Sequence, residues 1–211
     1  MTGRFIVVDG PSGAGKTTVV QLLGSRLAAA GENVVVTREP SDGPIGTMAR
    51  TGTRDYHGNA LACLVAADRY HHLDTTIRPA LAAGRTVLSA RYVVSSHVLQ
   101  VADGVRPEMV WHLNAYTLQP DLTFILTGDP AQLRQRAADR GNYSRFHNGA
   151  VTDEISRYRY AADRLAAAGW TIVTIDIGQD GPDQVADTLL KAVQLHLPGH
   201  ADAAERDTTS S

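Results

Sequence analysis

Asp9-Gly10-Pro11-Ser12-Gly13-Ala14-Gly15-Lys16-Thr17-Thr18, entered from the apolar run Phe5-Ile6-Val7-Val8 and left through Val19-Val20-Gln21-Leu22-Leu23, decides how this chain folds. The stretch fits G-x-x-x-x-G-K-[ST], the loop that cradles phosphates. A short β-branched run ahead of it and helical spacing behind it predict strand, loop and helix in the order the loop requires. Gly10, Gly13 and Gly15 allow backbone angles and close approach that a Cβ would block, so that successive N–H groups can turn towards one hollow. A helix beginning near Lys16 adds the positive end of its dipole.

That hollow suits a nucleoside triphosphate, and ATP is the expected donor. Gly10, Ser12, Gly13, Ala14, Gly15, Lys16, Thr17 and Thr18 are the expected cradle, with the Lys16 ammonium between the β- and γ-phosphates. Magnesium needs few protein ligands beside phosphate and water, and the Thr17 hydroxyl and the Asp9 carboxylate are the candidates.

Working outward, five apolar runs alternate with helical segments: Phe5 to Val8, Asn33 to Thr37, Arg85 to Ala90, Leu122 to Leu126 and Trp170 to Asp176. The alternation predicts an α/β, three-layer P-loop kinase fold with a five-stranded parallel sheet and helices on both faces. Helices are predicted from Val19 onward, over 58–83 with Pro79 kinking or restarting the turn, and around 107–116, 130–139, 152–168 and 182–196. Residues 38–44 are predicted as a loop at a strand's carboxyl end, where open parallel sheets bind ligands. At 211 residues and 43% hydrophobic content, one domain is expected over 1–197, with a polar tail over 198–211 expected to be disordered.

A formal charge of −2 supplies no basic field, so no nucleic-acid polymer is expected as a partner. No apolar run of membrane-spanning length and no signal-peptide pattern is seen, which predicts a cytoplasmic protein without a membrane partner. The single cysteine, Cys63, lies in an apolar helical stretch and is expected to be a buried, reduced core residue. The eight histidines show no metal-ligand spacing, and His71 and His72 point to different helix sides.

Arginines gather at predicted strand and helix ends: Arg38, Arg69 and Arg91, then Arg134, Arg136, Arg140 and Arg145. Phosphoryl transfer relies on positive charge aimed at the transferred group, so these are catalytic candidates. The Gly-flanked stretch at about 140–149 is a candidate lid that brings Arg145 over the phosphates.

The order of motifs resembles thymidylate kinase of the bacterial type to about residue 195. The family pattern is met by the loop from Gly10 to Thr17, Thr37 to Pro40, Ala66 to Arg69, Ala90 to Ser96, Pro120 to Thr123 and Ser144 to His147. The resemblance implies that Arg38 and Arg91 hold the acceptor monophosphate, that Arg69 reaches the base and that Arg145 is the lid arginine. Lys16, Arg91 and Arg145 are then the catalytic set. Asp9, Arg38, Val65, Arg69, Arg91, Ser96, Leu99 and Gln100 are the acceptor-side positions. It also implies a homodimer, with the helix at 58–78 as its surface.

Four positions depart from that pattern, all on the acceptor side. Ser12 stands where the family's loop carries an acid near the acceptor sugar, Ala90 where it has the aspartate of D-R-Y, Val65 where an aromatic stacks on thymine and Leu99 where a tyrosine excludes a ribose hydroxyl. Three readings stay open: a thymidylate kinase with compensating residues, Asp9 among them; a kinase of a related nucleotide or a non-nucleotide small metabolite; and a regulatory nucleotide-binding protein with a vestigial acceptor site. The first hypothesis is an ATP-dependent phosphotransferase acting on a nucleoside monophosphate, thymidylate or a related nucleotide.

Overall fold

The computed structural model describes residues 3–139 and 151–198. Its strands are β1 (Phe5–Asp9), β2 (Val34–Arg38), β3 (Thr86–Ala90), β4 (Leu122–Thr127) and β5 (Ile172–Asp176). They form one five-stranded sheet in the order β2-β3-β1-β4-β5, with every pairing parallel. The helices are α1 (Lys16–Ala29), α2 (Pro44–Thr51), α3 (Gly58–His72), α4 (Arg78–Ala82), α5 (Val93–Ala102), α6 (Pro107–Leu113), α7 (Pro130–Asp139), α8 (Val151–Ala167) and α9 (Pro182–His196). This is the α/β P-loop kinase architecture that the alternation predicts.

Strand periodicity explains why the sheet is covered on both faces. Successive side chains of β1 point to opposite sides. Ile6 and Val8 join a core with Val19, Leu23 and Leu27 of α1 and Val185, Leu189 and Val193 of α9. Phe5 and Val7 join a second core with Val93 and Val98 of α5 and Tyr158, Ala161 and Leu165 of α8. A strand buried on both faces has to read as a continuous apolar run, which is how β1 reads. At about 1.5–3 kcal/mol for each fully buried aliphatic or aromatic side chain, these residues anchor the whole layer arrangement.

Several local expectations change. The helix predicted over 58–83 is broken by a π turn at Leu73–Ile77, after which α4 starts with Pro79 in its first turn. Proline lacks the N–H and crowds the preceding turn, so the helix restarts there instead of running through. Helix α2, with Pro44 at its start, and helix α5 were not anticipated, and α6 ends at Leu113 instead of Tyr116. Cys63 is exposed, because α3 buries Leu61, Ala62, Val65, Ala66 and Arg69 and position 63 falls outside that stripe. The lid at about 140–149, Arg140, Arg145 and the tail beyond Pro198 lie outside the described residues.

Sheet register sets the site. Ala90 at the end of β3 pairs with Arg38 of β2 on one side and with Val8 of β1 on the other. The three carboxyl ends therefore lie side by side: Arg38, then Ala90 and Arg91, then Asp9 leading into the loop.

Candidate active site

The loop after β1 has the backbone that a phosphate cradle needs. Gly10, Gly13 and Gly15 have φ of 142°, 83° and 80°, a region that side chains with a Cβ rarely adopt. A Cβ on Gly13 would also run into the carbonyl oxygen of Leu133. Gly15 is the left-handed N-cap of α1 and supplies no side-chain cap, so the first amides of the helix point at whatever lies in front of it. Lys16 is 7% exposed and its Nζ donates to the carbonyl oxygens of Gly10 and Pro11 at 2.6 and 2.8 Å. Thr17 and Thr18 are exposed on the first turn.

Asp9 joins this loop to the segment after β3. Its side chain is buried. Oδ1 accepts from the Gly10 N–H at 2.9 Å, the Ser95 hydroxyl at 2.7 Å and the Tyr158 hydroxyl at 2.9 Å. Oδ2 accepts from the amides of Tyr92 at 3.2 Å and Ser95 at 2.9 Å. Tyr92 is the N-cap of α5 and makes no side-chain cap of its own. The β1 carboxylate thus caps α5 from another strand, a favourable place for negative charge.

Arg91 lies between β3 and α5 with φ of 73°, an uncommon backbone for a residue with a long side chain. Its amide donates to the Val8 carbonyl at 3.0 Å. Its Nη1 donates to the Ser95 hydroxyl at 3.0 Å and the Tyr158 hydroxyl at 3.4 Å. Burial acts to lower its pKa, but Tyr158, Asp9 and Glu154 outweigh that and hold it above the ordinary arginine value. Burial, then the Asp9 charge, pushes the Tyr158 phenol up, so it stays a neutral donor to Asp9.

Position 12 has a carboxylate beside it although the residue is a serine. Glu154 of α8 is buried, and its Oε1 accepts from the Ser12 amide at 3.1 Å and lies 3.5 Å from the Ser12 hydroxyl. Sequence reasoning missed Glu154 and Tyr158, which lie far along the chain on an ordinary amphipathic helix.

The family-like segments Thr37 to Pro40 (T-R-E-P) and Ala66 to Arg69 (A-x-D-R) form one interlock together with Ser41. Asp68 accepts from the Ser41 amide at 2.6 Å and from its hydroxyl at 2.5 Å. Arg69 is 1% exposed; it pairs with Glu39 at 2.6 Å, donates to Asn114 Oδ1 and to the Tyr92 carbonyl at 3.1 Å, and lies 5.1 Å from the Tyr92 ring centroid. His72, also buried, faces Glu39 at 3.4 Å and Thr37 at 2.8 Å. The guanidinium expected to reach a base is therefore held inside the protein as a strut for the loop after β2. Arg38 is exposed at the mouth and pairs with Asp42 at 2.5 Å, which holds the Asp42 carboxyl below the usual range.

Val65 is buried against Ala49 and Leu61, aliphatic packing at the position where the family pattern has a stacking ring. Leu99 packs on the second core. On α5, the buried Ser96 Oγ and Gln100 Oε1, one turn apart, lack a hydrogen-bond partner among the described residues. Buried polar atoms without a partner are uncommon and call for one, such as water or a ligand group; His97 Nε2 and Thr123 Oγ1 are in the same position. A cavity of about 360 Å³ between α5, α6 and α8, lined by His97, Trp111 and Arg164 among others, includes no residue of the phosphate loop.

The two candidate metal ligands differ in fit. Thr17 presents an exposed hydroxyl on the first turn after the cradle. Both Asp9 oxygens are already filled by five donors, so Asp9 fits a positioning part better than coordination. No group of three or more His, Cys, Asp or Glu suited to a metal occurs among the described residues, and none of their helices is long and apolar enough to cross a membrane.

A family model described as thymidylate kinase matches residues 8–188. The chain is 42% identical over 190 residues to a probable thymidylate kinase of Pyrobaculum calidifontis, covering 88% of this chain and 93% of that protein. It is 38% identical over 209 residues to a thymidylate kinase of Xanthomonas oryzae pv. oryzae, covering 98% of this chain and 90% of the relative. A probable thymidylate kinase of Pyrobaculum aerophilum is 34% identical over 195 residues, covering 90% and 96%. These likenesses give no support to a regulatory protein or a non-nucleotide metabolite kinase over a nucleotide kinase.

Proposed function

The chain belongs to the thymidylate kinase family and is a nucleoside monophosphate kinase; on that premise we propose that it transfers the γ-phosphate of ATP to thymidine monophosphate, with magnesium. The observation that carries the proposal is the Asp9 carboxylate. It bonds the first amide of the donor loop and, through Tyr92 and Ser95, the turn that presents Arg91. One buried anion thereby fixes two phosphate-binding elements against each other, and in-line transfer between phosphates depends mainly on such positioning.

In this reading the loop amides and Lys16 hold the donor's β- and γ-phosphates, Lys16 exchanging its loop carbonyls for phosphate oxygens. Thr17 would hold magnesium together with nucleotide oxygens and water, and the ion supplies charge neutralisation. Arg91 and Arg38 hold the acceptor phosphate. Ser96 Oγ and Gln100 Oε1 suit hydrogen-bonding groups on the nucleoside. Arg145, outside the described residues, keeps its proposed part as the lid arginine. An ionised phosphate acceptor scarcely needs a general base. We place the enzyme in the cytoplasm as a homodimer using the outer face of α3.

The test is ADP formation with ATP, magnesium and a panel of nucleoside monophosphates. Thymidylate-dependent ADP, exceeding that with ribonucleotides, is expected. Tight ATP binding without ADP on any acceptor would overturn the reading, and a stronger response to a ribonucleotide would show that Leu99 has changed sugar selection.

A further inference from the structure

Glu154 and Tyr158 lie one helical turn apart on α8, and their hydrogen bonds reach different segments of the site, although the Glu154 charge also acts on Arg91 and Asp9 also holds the Gly10 amide. Glu154 Oε1 receives the Ser12 amide at the tip of the donor loop. Tyr158 OH donates to Asp9 at 2.9 Å and lies 3.4 Å from Arg91 Nη1 and 3.1 Å from Ser95 Oγ. Both side chains are buried, Tyr158 at 1% and Glu154 at 8% exposure. Residues four apart on a helix share a face and a fixed spacing.

We propose that Glu154 and Tyr158 are positioning residues that make α8 a ruler between the two phosphate sites, Glu154 setting the donor loop through Ser12 and Tyr158 setting the acceptor arginine through Arg91 and Asp9. This rests on the phosphotransfer reading above. The physical basis is that both loops are held by side chains from other elements. The donor loop is rich in glycine with positive φ, and Arg91 occupies an uncommon backbone region. A helix anchored in the second core through Ala161 and Leu165 supplies the stiffness. A misplacement of about 1 Å is enough to cost about 10²-fold in rate.

The test varies ATP and thymidylate separately in steady-state kinetics of the full chain. Tyr158→Phe keeps the packed ring and removes the hydroxyl; it is expected to raise the acceptor KM at least fivefold while the ATP KM stays within twofold. Glu154→Ala is expected to do the reverse, raising the ATP KM at least fivefold, with Glu154→Gln, whose amide oxygen can still accept from Ser12, recovering most of that loss. If Glu154→Ala does not fold, Glu154→Gln should show the same split at smaller amplitude. Both KM values moving together, or neither moving in a variant with an unchanged Tm, would overturn the proposal. A wild-type chain that makes no ADP with any acceptor would instead mean failure of the phosphotransfer reading. Binding of a non-hydrolysable ATP analogue to the same variants would still report on the Glu154 half.

Discussion

Replacing Asp9 by asparagine separates the two parts this residue can play. Asparagine keeps the shape but has one acceptor oxygen, and here five donors converge on two oxygens. The less costly orientation turns the new NH2 towards the Ser95 and Tyr158 hydroxyls, which can rotate to accept. That leaves the Gly10 amide without an acceptor, a loss of about 1–3 kcal/mol, and weakens the Tyr92 and Ser95 amide bonds by about 1 kcal/mol each as the charge is lost. With the cost of burying the carboxylate relieved in part, roughly 3 kcal/mol of destabilisation is expected, a large share of a typical total of about 5–15 kcal/mol. Urea unfolding measures it, and because the α5 cap holds Arg91, the acceptor KM should rise in parallel. A metal-ligand role predicts something else: an unfolding midpoint within about 0.5 kcal/mol of wild type and a raised magnesium requirement. That pair of results would refute the positioning argument.

Lys16→Ala should lower kcat by more than about 10²-fold, since the donor phosphates lose their point charge, while leaving the fold intact; full activity in rapid-quench assays would contradict the donor-site assignment. Arg69→Ala should destabilise the protein by about 3–5 kcal/mol, because the buried Glu39 carboxylate loses its cation; a normal unfolding midpoint with a raised acceptor KM would return Arg69 to base recognition. His97 is held down to about 4 by burial, with the Arg69 and Arg164 charges adding to it. Its folded value lies below the unfolded one, so the unfolded chain binds more protons between the two, and the stability is complete above about pH 6.5 and lost as pH falls towards 4. The full shift amounts to about 3 kcal/mol, reduced towards about 1.5 for a ring that is partly exposed. His97→Phe should remove that share of the acid loss in urea midpoints compared at about pH 7 and about pH 4.5, and equal losses in both proteins would count against it.

The strand, glycine loop and helix from Phe5 to Ala29 were legible because their signal is local. Ten consecutive residues carry the glycines, the lysine and the hydroxyl, and the flanking strand and helix have opposite periodicities. The strand ends at Arg38 and Arg91 were legible for a related reason, since each arginine follows a β-branched apolar run, although only β3 is buried and β2 is the half-exposed edge strand, with Val36 45% exposed. What stayed hidden depends on contacts between distant segments. An arginine in A-x-D-R reads the same in sequence whether it meets a ligand or, as here, Glu39 and Asn114. Glu154 is an acid on the polar side of a helix until the fold brings it to Ser12, 142 positions away. Cys63 failed on phase alone, because an apolar neighbourhood does not say which side of the helix faces inward.

The acceptor-side departures look different once charge is counted in space instead of along the chain. Ser12 has a carboxylate next to it from Glu154, and Ala90 is followed by an arginine that Asp9 and Glu154 already hold above its ordinary pKa. Arg91 is therefore charged but largely compensated by anions that have their own N–H donors. An incoming phosphate dianion gains orientation from it more than long-range attraction. Among the described residues, Lys16, the amides at the start of α1 and Arg38, itself paired with Asp42, remain as sources of attraction in the proposed reading. Arg38 is the exposed member, its side chain 48% accessible, so its contribution is the one that salt screens. On the proposed reading the work divides among the cations: half-buried Arg91 would set where the acceptor phosphate sits, and exposed Arg38 would affect how readily it arrives.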